Sequence, residues 1–300
     1  MFIETAEKAD LKDAKIRWQD KTDPNVKVVL LRHAQTPFNS LHDRLFSDLM
    51  KKKISKMNFA INFGKVKKDE SAGLVNSTLT EKGIQVVRDA APKFREQFPN
   101  IKYVFCSPMR RTIMTLENIM DGYPGWAENK IKVELMPELR EVIMSSSDVG
   151  CYIDHEEFRG IQNKKRFDWS FMKNAEDPHF WFLDSMSQER KKNSLKAMEG
   201  CVSVHDKRTA LLNELSKVKY LPYDYETGES NYLRIKVAAM EKLRQAIKKH
   251  QLKDNEVLIV GHAITFAYFW GDGFNNVDYK AKTFKIMKNA EFLEYPLYWP

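Results

Sequence analysis

The chain has 300 residues, 43% apolar and 30% charged, with 49 Lys and Arg against 41 Asp and Glu. Its 12 Gly and 11 Pro fall below the usual share, which excludes collagen-like, low-complexity and mostly disordered classes. The length allows a full core in one large domain or two, and the net charge of +8 fits an anionic partner or simple solubility.

Residues 1–25 are polar and read as an N-terminal arm ended near Pro24; they mix acids and bases around no apolar centre, so they do not read as a secretory signal. Residues 26–31 (VKVVLL) form an apolar run of strand length, the kind buried on both faces of a parallel sheet. A basic stretch over 40–75, with lysines at 51–53, 56, 65, 67 and 68, reads as irregular. Thr80 caps a predicted helix over 81–97, with Val86, Val87 and Phe94 inward. Residues 101–106 (IKYVFC) give a second strand, Pro108 opens a helix over 109–120, and 131–135 give a third strand.

Residues 145–200 show no clean period but hold many aromatics, among them Phe158, Phe167, Trp169, Phe171, Phe180, Trp181 and Phe182. They read as an inserted cap with a small core of its own. Helical periodicity returns at 202–218 and 230–250, a fourth strand follows at 256–260, and a helix starts near Ala263. Residues 283–287 and 292–295 read as a closing antiparallel pair. Strands alternating with helices predict a three-layer α/β/α sandwich on a mostly parallel sheet, a single domain over 26–300. The longest apolar stretch, 257–270, contains His262 and is shorter than the ~20 residues of a membrane span. Cys106, Cys151 and Cys201 are widely spaced and odd in number, which suits neither a zinc site nor a disulfide framework and points to a reducing, cytoplasmic home.

Three predicted strands end alike. VVLLRH delivers Arg32 and His33, YVFCSPMRR delivers Arg110 and Arg111, and VLIVGH delivers His262. Ligands of open α/β sheets bind beyond the carboxyl ends of the strands, so these side chains converge. Guanidinium groups there favour a phosphate over a metal cation on sign alone. Arg32, Arg111 and a protonated His262 can grip the dianion, with backbone N–H groups of the following helix as further donors, leaving His33 free as a nucleophile.

In order, LRHAQTPFN, LTEKG, CSPMRRTIMT, LRE and VLIVGHA resemble the motif series of the histidine phosphatase superfamily, the phosphoglycerate-mutase-like proteins, over roughly residues 26–295. The resemblance implies that fold and a phosphomonoester hydrolase of the histidine acid phosphatase type. His33 would become phosphohistidine, its other ring nitrogen held by a backbone carbonyl. Arg32 and Arg111 would hold phosphoryl oxygens, His262 would stabilise their charge, and Glu141 of LRE would serve as proton donor and then base. Asn39, in the tail of the first motif, would also touch phosphate. No metal or cofactor is implied; the partner would be a phosphorylated small molecule or phosphoprotein.

The sequence departs from the family at Ala34, where glycine is usual, and in the nine-residue spacing from Glu141 to Gly150. The longer mutase signature is missing after Asn39, which favours hydrolysis over phosphotransfer. A mutase and an inactive phosphate-binding scaffold stay open as alternatives. Cys106 and Arg111 form C-x4-R rather than the C-x5-R of cysteine phosphatases, so Cys106 reads as a buried strand residue. Arg110 reads as a surface or helix-start residue. The lysine runs read as a solvated face, with no nucleic-acid module beside them.

Overall fold

The computed structural model describes residues 26–58, 62, 76–143, 146–150, 165–173, 175, 177–186, 188–216, 231, 233–270 and 286–297. The arm at 1–25, the lysines at 65, 67 and 68, Cys151 and Phe158 lie outside them, as do residues 283–285 of the expected closing pair.

Six strands form one mixed sheet: β1 (Val26–Arg32), β2 (Tyr103–Cys106), β3 (Lys132–Leu135), β4 (Phe167–Asp168), β5 (Val257–Gly261) and β6 (Phe292–Leu297). Their order is β4-β3-β2-β5-β1-β6, and every neighbouring pair is parallel except β1 with β6. Alternate strand residues sort onto two faces, as the pleat requires. Val29, Leu31, Val104, Cys106, Leu258 and Val260 join one buried cluster, while Val28, Leu30, Phe105, Val257 and Ile259 join another. The helices cover both: α2 (Glu81–Gln97) and α3 (Arg110–Ile119) line the first face, α7 (Met240–His250) and α8 (Ala263–Trp270) the second. This is the expected three-layer α/β/α sandwich on a mostly parallel sheet.

Several expectations are corrected. The start of the basic stretch is not irregular: α1 (Pro37–Met50) is a helix, opened by a capping box between Thr36 and Asn39. None of its residues is fully buried, although Phe38, Leu41, Leu45 and Leu49 recur along one side at helical spacing. In α2 the helical period turns Gly83, Val87, Ala91 and Phe94 inward and leaves Val86 42% exposed. The aromatics of 145–200 build no core of their own among the described residues. Phe167 lies in β4, paired with Val133, and Phe180, Trp181 and Phe182 share the main cluster with Val104 and Cys106. The short helix α4 (Ser170–Lys173) lies between β4 and these rings, and the helices α5 (Gln188–Met198) and α6 (Val204–Ser216) follow them. The partner of β6 is β1, with Phe292 opposite Leu31; Ile286 and Met287 are not in a strand.

The segment preceding α7 is a π-helix, Leu233–Ala239, and within it Arg234 is 2% exposed. Its Nη1 donates to the carbonyls of Glu138 (2.7 Å) and Arg140 (2.8 Å). Among the described residues, no helix is long and apolar enough to cross a membrane.

The loop after β1 is tied to the start of α2. Thr80 caps the helix by accepting from Gly83 N, and its own N–H donates to Gln35 O at 2.9 Å. A Cβ on Gly83 would stand 2.4 Å from Gln35 O and 3.1 Å from Gln35 N. Both are backbone atoms with little room to yield. Gly83→Ala should therefore lower unfolding free energy in urea by about 1–3 kcal/mol, the usual cost of overpacking. Lys82→Ala, on the exposed neighbour, should stay within ~0.5 kcal/mol. Equal effects would show that the loop simply moves aside.

Candidate active site

Neighbouring parallel strands end within one residue of each other. Arg32 pairs with Gly261, so His33 and His262 follow side by side, and Cys106 pairs with Val260, which ends β2 one residue earlier and brings Ser107 to the same edge. His33 N donates to Gly261 O and Ser107 N to Val260 O, both at 3.0 Å. Four predicted groups meet here. The rings of His33 and His262 have centroids 5.1 Å apart, Arg111 Nε lies 3.3 Å from His262 Nδ1, and the charges of Arg32 and Arg111 both reach His33.

His33 is 4% exposed and its Nδ1 lies 2.8 Å from the carbonyl oxygen of Ala34. A carbonyl only accepts, so Nδ1 carries the proton and Nε2 keeps its lone pair. Burial, then Arg111 and Arg32, hold the ring well below the ordinary histidine range, which keeps it neutral. Ala34 is fully buried, donates its N–H to Thr115 Oγ1 at 3.0 Å, and does not have positive φ. The missing glycine therefore introduces no backbone strain.

His262 differs from its expected protonated form. It has no exposed surface, and burial followed by the charges of Arg111, His33 and Arg32 hold its pKa well below normal. Its Nδ1 accepts from Arg111 Nε, so its proton sits on Nε2 and is donated to Ser107 Oγ at 2.9 Å. A cationic neighbourhood expels a second proton unless an anion is bound.

The arginines are not equivalent. Arg32 donates from Nη1 to Met287 O, while its buried Nε has no hydrogen-bond partner among the described residues. Arg111, 3% exposed, is held at three nitrogens: Nε by His262, Nη1 by Ser147 O at 2.7 Å, and Nη2 by Asp148 Oδ1 at 3.0 Å. It is thus already paired with a carboxylate. Arg110 proves buried at the helix start, its N–H donating to Asn76 Oδ1, rather than a surface group.

Glu141 is 6% exposed beside this cluster. Its Oε1 accepts from Thr265 N (3.1 Å), Val142 N (3.0 Å) and Thr265 Oγ1 (3.3 Å), and its Oε2 from Ile264 N (3.3 Å). The first N–H groups of α8, expected to serve an anion directly, are therefore turned to Glu141. Burial, then Asp148, raises its carboxyl above the ordinary value, with Arg111 and the backbone donors pulling the other way. Asn39 is diverted as well. Its amide oxygen accepts from Thr36 N and Thr36 Oγ1, and its own N–H donates to Thr36 Oγ1. It caps α1, and no hydrogen bond among the described residues joins it to the imidazoles.

Three groups escaped the sequence reading. Ser107 follows its strand as His33 and His262 follow theirs, and that position was the available signal. Asp148 and Ser147 lie in a 3-10 turn, Ser146–Asp148, within an aperiodic stretch that offers none. Cys106 is fully buried, and burial pushes its thiol up, as expected of a strand residue.

Residues 64–212 match the sequence model of the histidine phosphatase superfamily (branch 1). The match includes Arg111 and Glu141, with His33 and His262 on either side of it. No curated protein matches the chain. Among solved structures, the chain is similar to a phosphoglycerate mutase from Bacillus anthracis, at 16% identity over 91% of this chain and 89% of that one, with a TM-score of 0.43. It is also similar to an ecdysone phosphate phosphatase from Bombix mori (13%, covering 89% and 87%, TM-score 0.41). A phosphoserine phosphatase from Entamoeba histolytica is alike too (13%, covering 91% and 94%, TM-score 0.41).

Two buried neutral imidazoles make a linkage prediction. Their folded-state pKa values lie below the unfolded value near 6.5. The unfolded chain then binds more protons below that pH, so stability should fall as pH drops beneath ~6.5, by up to about 1.4 kcal/mol per pH unit for each ring. Glu141, raised above its ordinary 4.5, has the opposite sign: its contribution is full below 4.5 and fades as pH rises through its folded value. Urea unfolding of the His33→Gln/His262→Gln double variant should show a flatter decline between pH 6.5 and 5.5 than the parent. Parallel curves would mean that the rings titrate normally in the fold.

Proposed function

We propose that this chain, which belongs to the histidine phosphatase superfamily, is a phosphomonoester hydrolase that works through a phosphohistidine on His33. The observation that carries the reading is the tautomer of His33. With Nδ1 held by the Ala34 carbonyl, the lone pair on Nε2 is available beside two guanidinium groups and a second imidazole. A neutral, desolvated imidazole is a competent nucleophile toward phosphorus, and its cationic neighbours favour charge on the transferring group.

In this mechanism Nε2 of His33 attacks phosphorus in line. Arg32, with its unpartnered Nε, and Arg111 hold phosphoryl oxygens. Once the dianion is bound, His262 can take from solvent the proton that the free cluster denies it, and the resulting imidazolium takes up part of the developing charge. Glu141 enters protonated and gives its proton to the departing oxygen. It then accepts one from water as the phosphohistidine is hydrolysed, which returns it to its starting state. Its raised pKa supports the acid role. Asn39 is left to cap α1. No step needs a metal. The unpaired Cys106 and Cys201 support a cytoplasmic home.

The test uses the purified full chain with an aryl phosphate, whose leaving group needs no proton, and an alkyl phosphate, whose leaving group does. Phosphate release should vanish in His33→Ala. Label from substrate should appear on the parent in an acid-labile, alkali-stable bond. Glu141→Gln should lose about 10²–10⁴-fold on the alkyl ester and under about tenfold on the aryl ester. Release that persists without His33 overturns the nucleophile, and equal losses on both esters overturn the acid.

A further inference from the structure

Arg111 is the most constrained cation of the site, and its partners come from one short turn. Ser147 O and Asp148 Oδ1 meet Nη1 and Nη2, so two consecutive residues receive the two arms of one guanidinium. The turn itself is buried: Ser147 is 3% exposed, Asp148 6% and Val149 1%. Its continuation is locked as well, since a Cβ on Gly150 would lie 2.5 Å from the Trp181 ring and 3.1 Å from Met109 Sδ. The remaining contact of Arg111, through Nε, is His262. We propose that Asp148 is a positioning residue of this site: its carboxylate clamps the guanidinium of Arg111 against His262.

The proposal rests on the phosphatase reading for its kinetic consequences, but the clamp has a signature of its own. The charged groups around Glu141 come from three further elements: Arg111 from α3, Asp148 from the 3-10 turn, and Arg32 from the end of β1. Arg140 donates from Nη1 to the Glu141 carbonyl, and the carboxyl group itself meets the N–H groups of Val142, Ile264 and Thr265 and the hydroxyl of Thr265. Of these, only Asp148 is a like charge. It therefore favours the protonated carboxyl, whereas Arg111, Arg32 and the donors favour the ionised one. The same carboxylate stands beside the guanidinium that meets an incoming anion, so it weakens phosphate binding while sustaining the acid. A residue that lowers affinity yet raises turnover on poor leaving groups is not one that merely stabilises the fold.

Asp148→Asn keeps an oxygen acceptor for Arg111 Nη2 and removes the charge. Calorimetry with inorganic phosphate should show binding tighter by about fivefold or more, since a like charge beside the anion is lost. The basic limb of kcat/KM on an alkyl phosphate should move down by roughly 0.5–1 pH unit, and the loss in kcat should be larger on the alkyl than on the aryl ester. Asp148→Ala, which removes the acceptor too, should bind phosphate more weakly than the parent because Arg111 is released. Weaker phosphate binding in Asp148→Asn, an unmoved limb, or tighter binding in both variants would overturn the proposal. The binding measurement needs no turnover. An unreactive parent would therefore sink the hydrolase reading alone, while calorimetry would still decide the clamp.

Discussion

The ends of three adjacent parallel strands, matched to within one residue, are the constraint from which the site follows. Backbone pairing puts Arg32 beside Gly261 and Cys106 beside Val260. Each strand then releases one polar residue, His33, His262 or Ser107, into the same crevice, although they are up to 229 positions apart in the chain (262 minus 33). No loop has to be ordered to bring them together. The apolar runs that precede them are buried on both faces, so a slip in register would exchange the side chains packed in the two cores, and the site inherits its precision from that packing.

That arrangement concentrates positive charge where solvent is thin. Arg32, Arg111 and Arg234 all bear on His262, and the histidines answer by staying neutral. The carboxylate of Asp148 offsets the charge of Arg111 through a hydrogen bond, and the carboxyl group of Glu141 beside it is anchored by backbone donors. Glu141 also caps α8, the helix that begins next to His262. Acid strength, helix start and ring placement are thus coupled through one side chain.

Much of the fold was legible in the sequence because strand interiors and helix faces follow simple periods. The strands 26–31 and 256–260, the Thr80 cap and the helix it opens were visible in that way, and the convergence of His33, His262, Arg32 and Arg111 followed from where the strands stop. What stayed hidden depends on contacts between distant segments. Asp148 meets Arg111 across 37 positions from an aperiodic turn. The direction taken by Asn39 was decided by a local cap competing for the same amide, and the backbone N–H of Arg110 is met by Asn76, 34 positions earlier. Helix α1 was legible too, in the cap at Thr36 and the helical spacing of Phe38, Leu41, Leu45 and Leu49, but the lysines that follow it dominate the composition of the stretch. The aromatics of 145–200 announced a core but not whose core, since composition carries no direction.

The π-helix at Leu233–Ala239 has a consequence for how this protein can evolve. Arg234 reaches the carbonyls of Glu138 and Arg140 from that widened turn, bracing the segment that presents Glu141. Inserting or deleting one residue between Arg234 and α7 would swing the guanidinium by about 100° around the helix and detach the brace. Residues on the outer surface of that stretch are free to drift in identity, but its length is not. Descendants of this chain should vary there by substitution and keep their residue count.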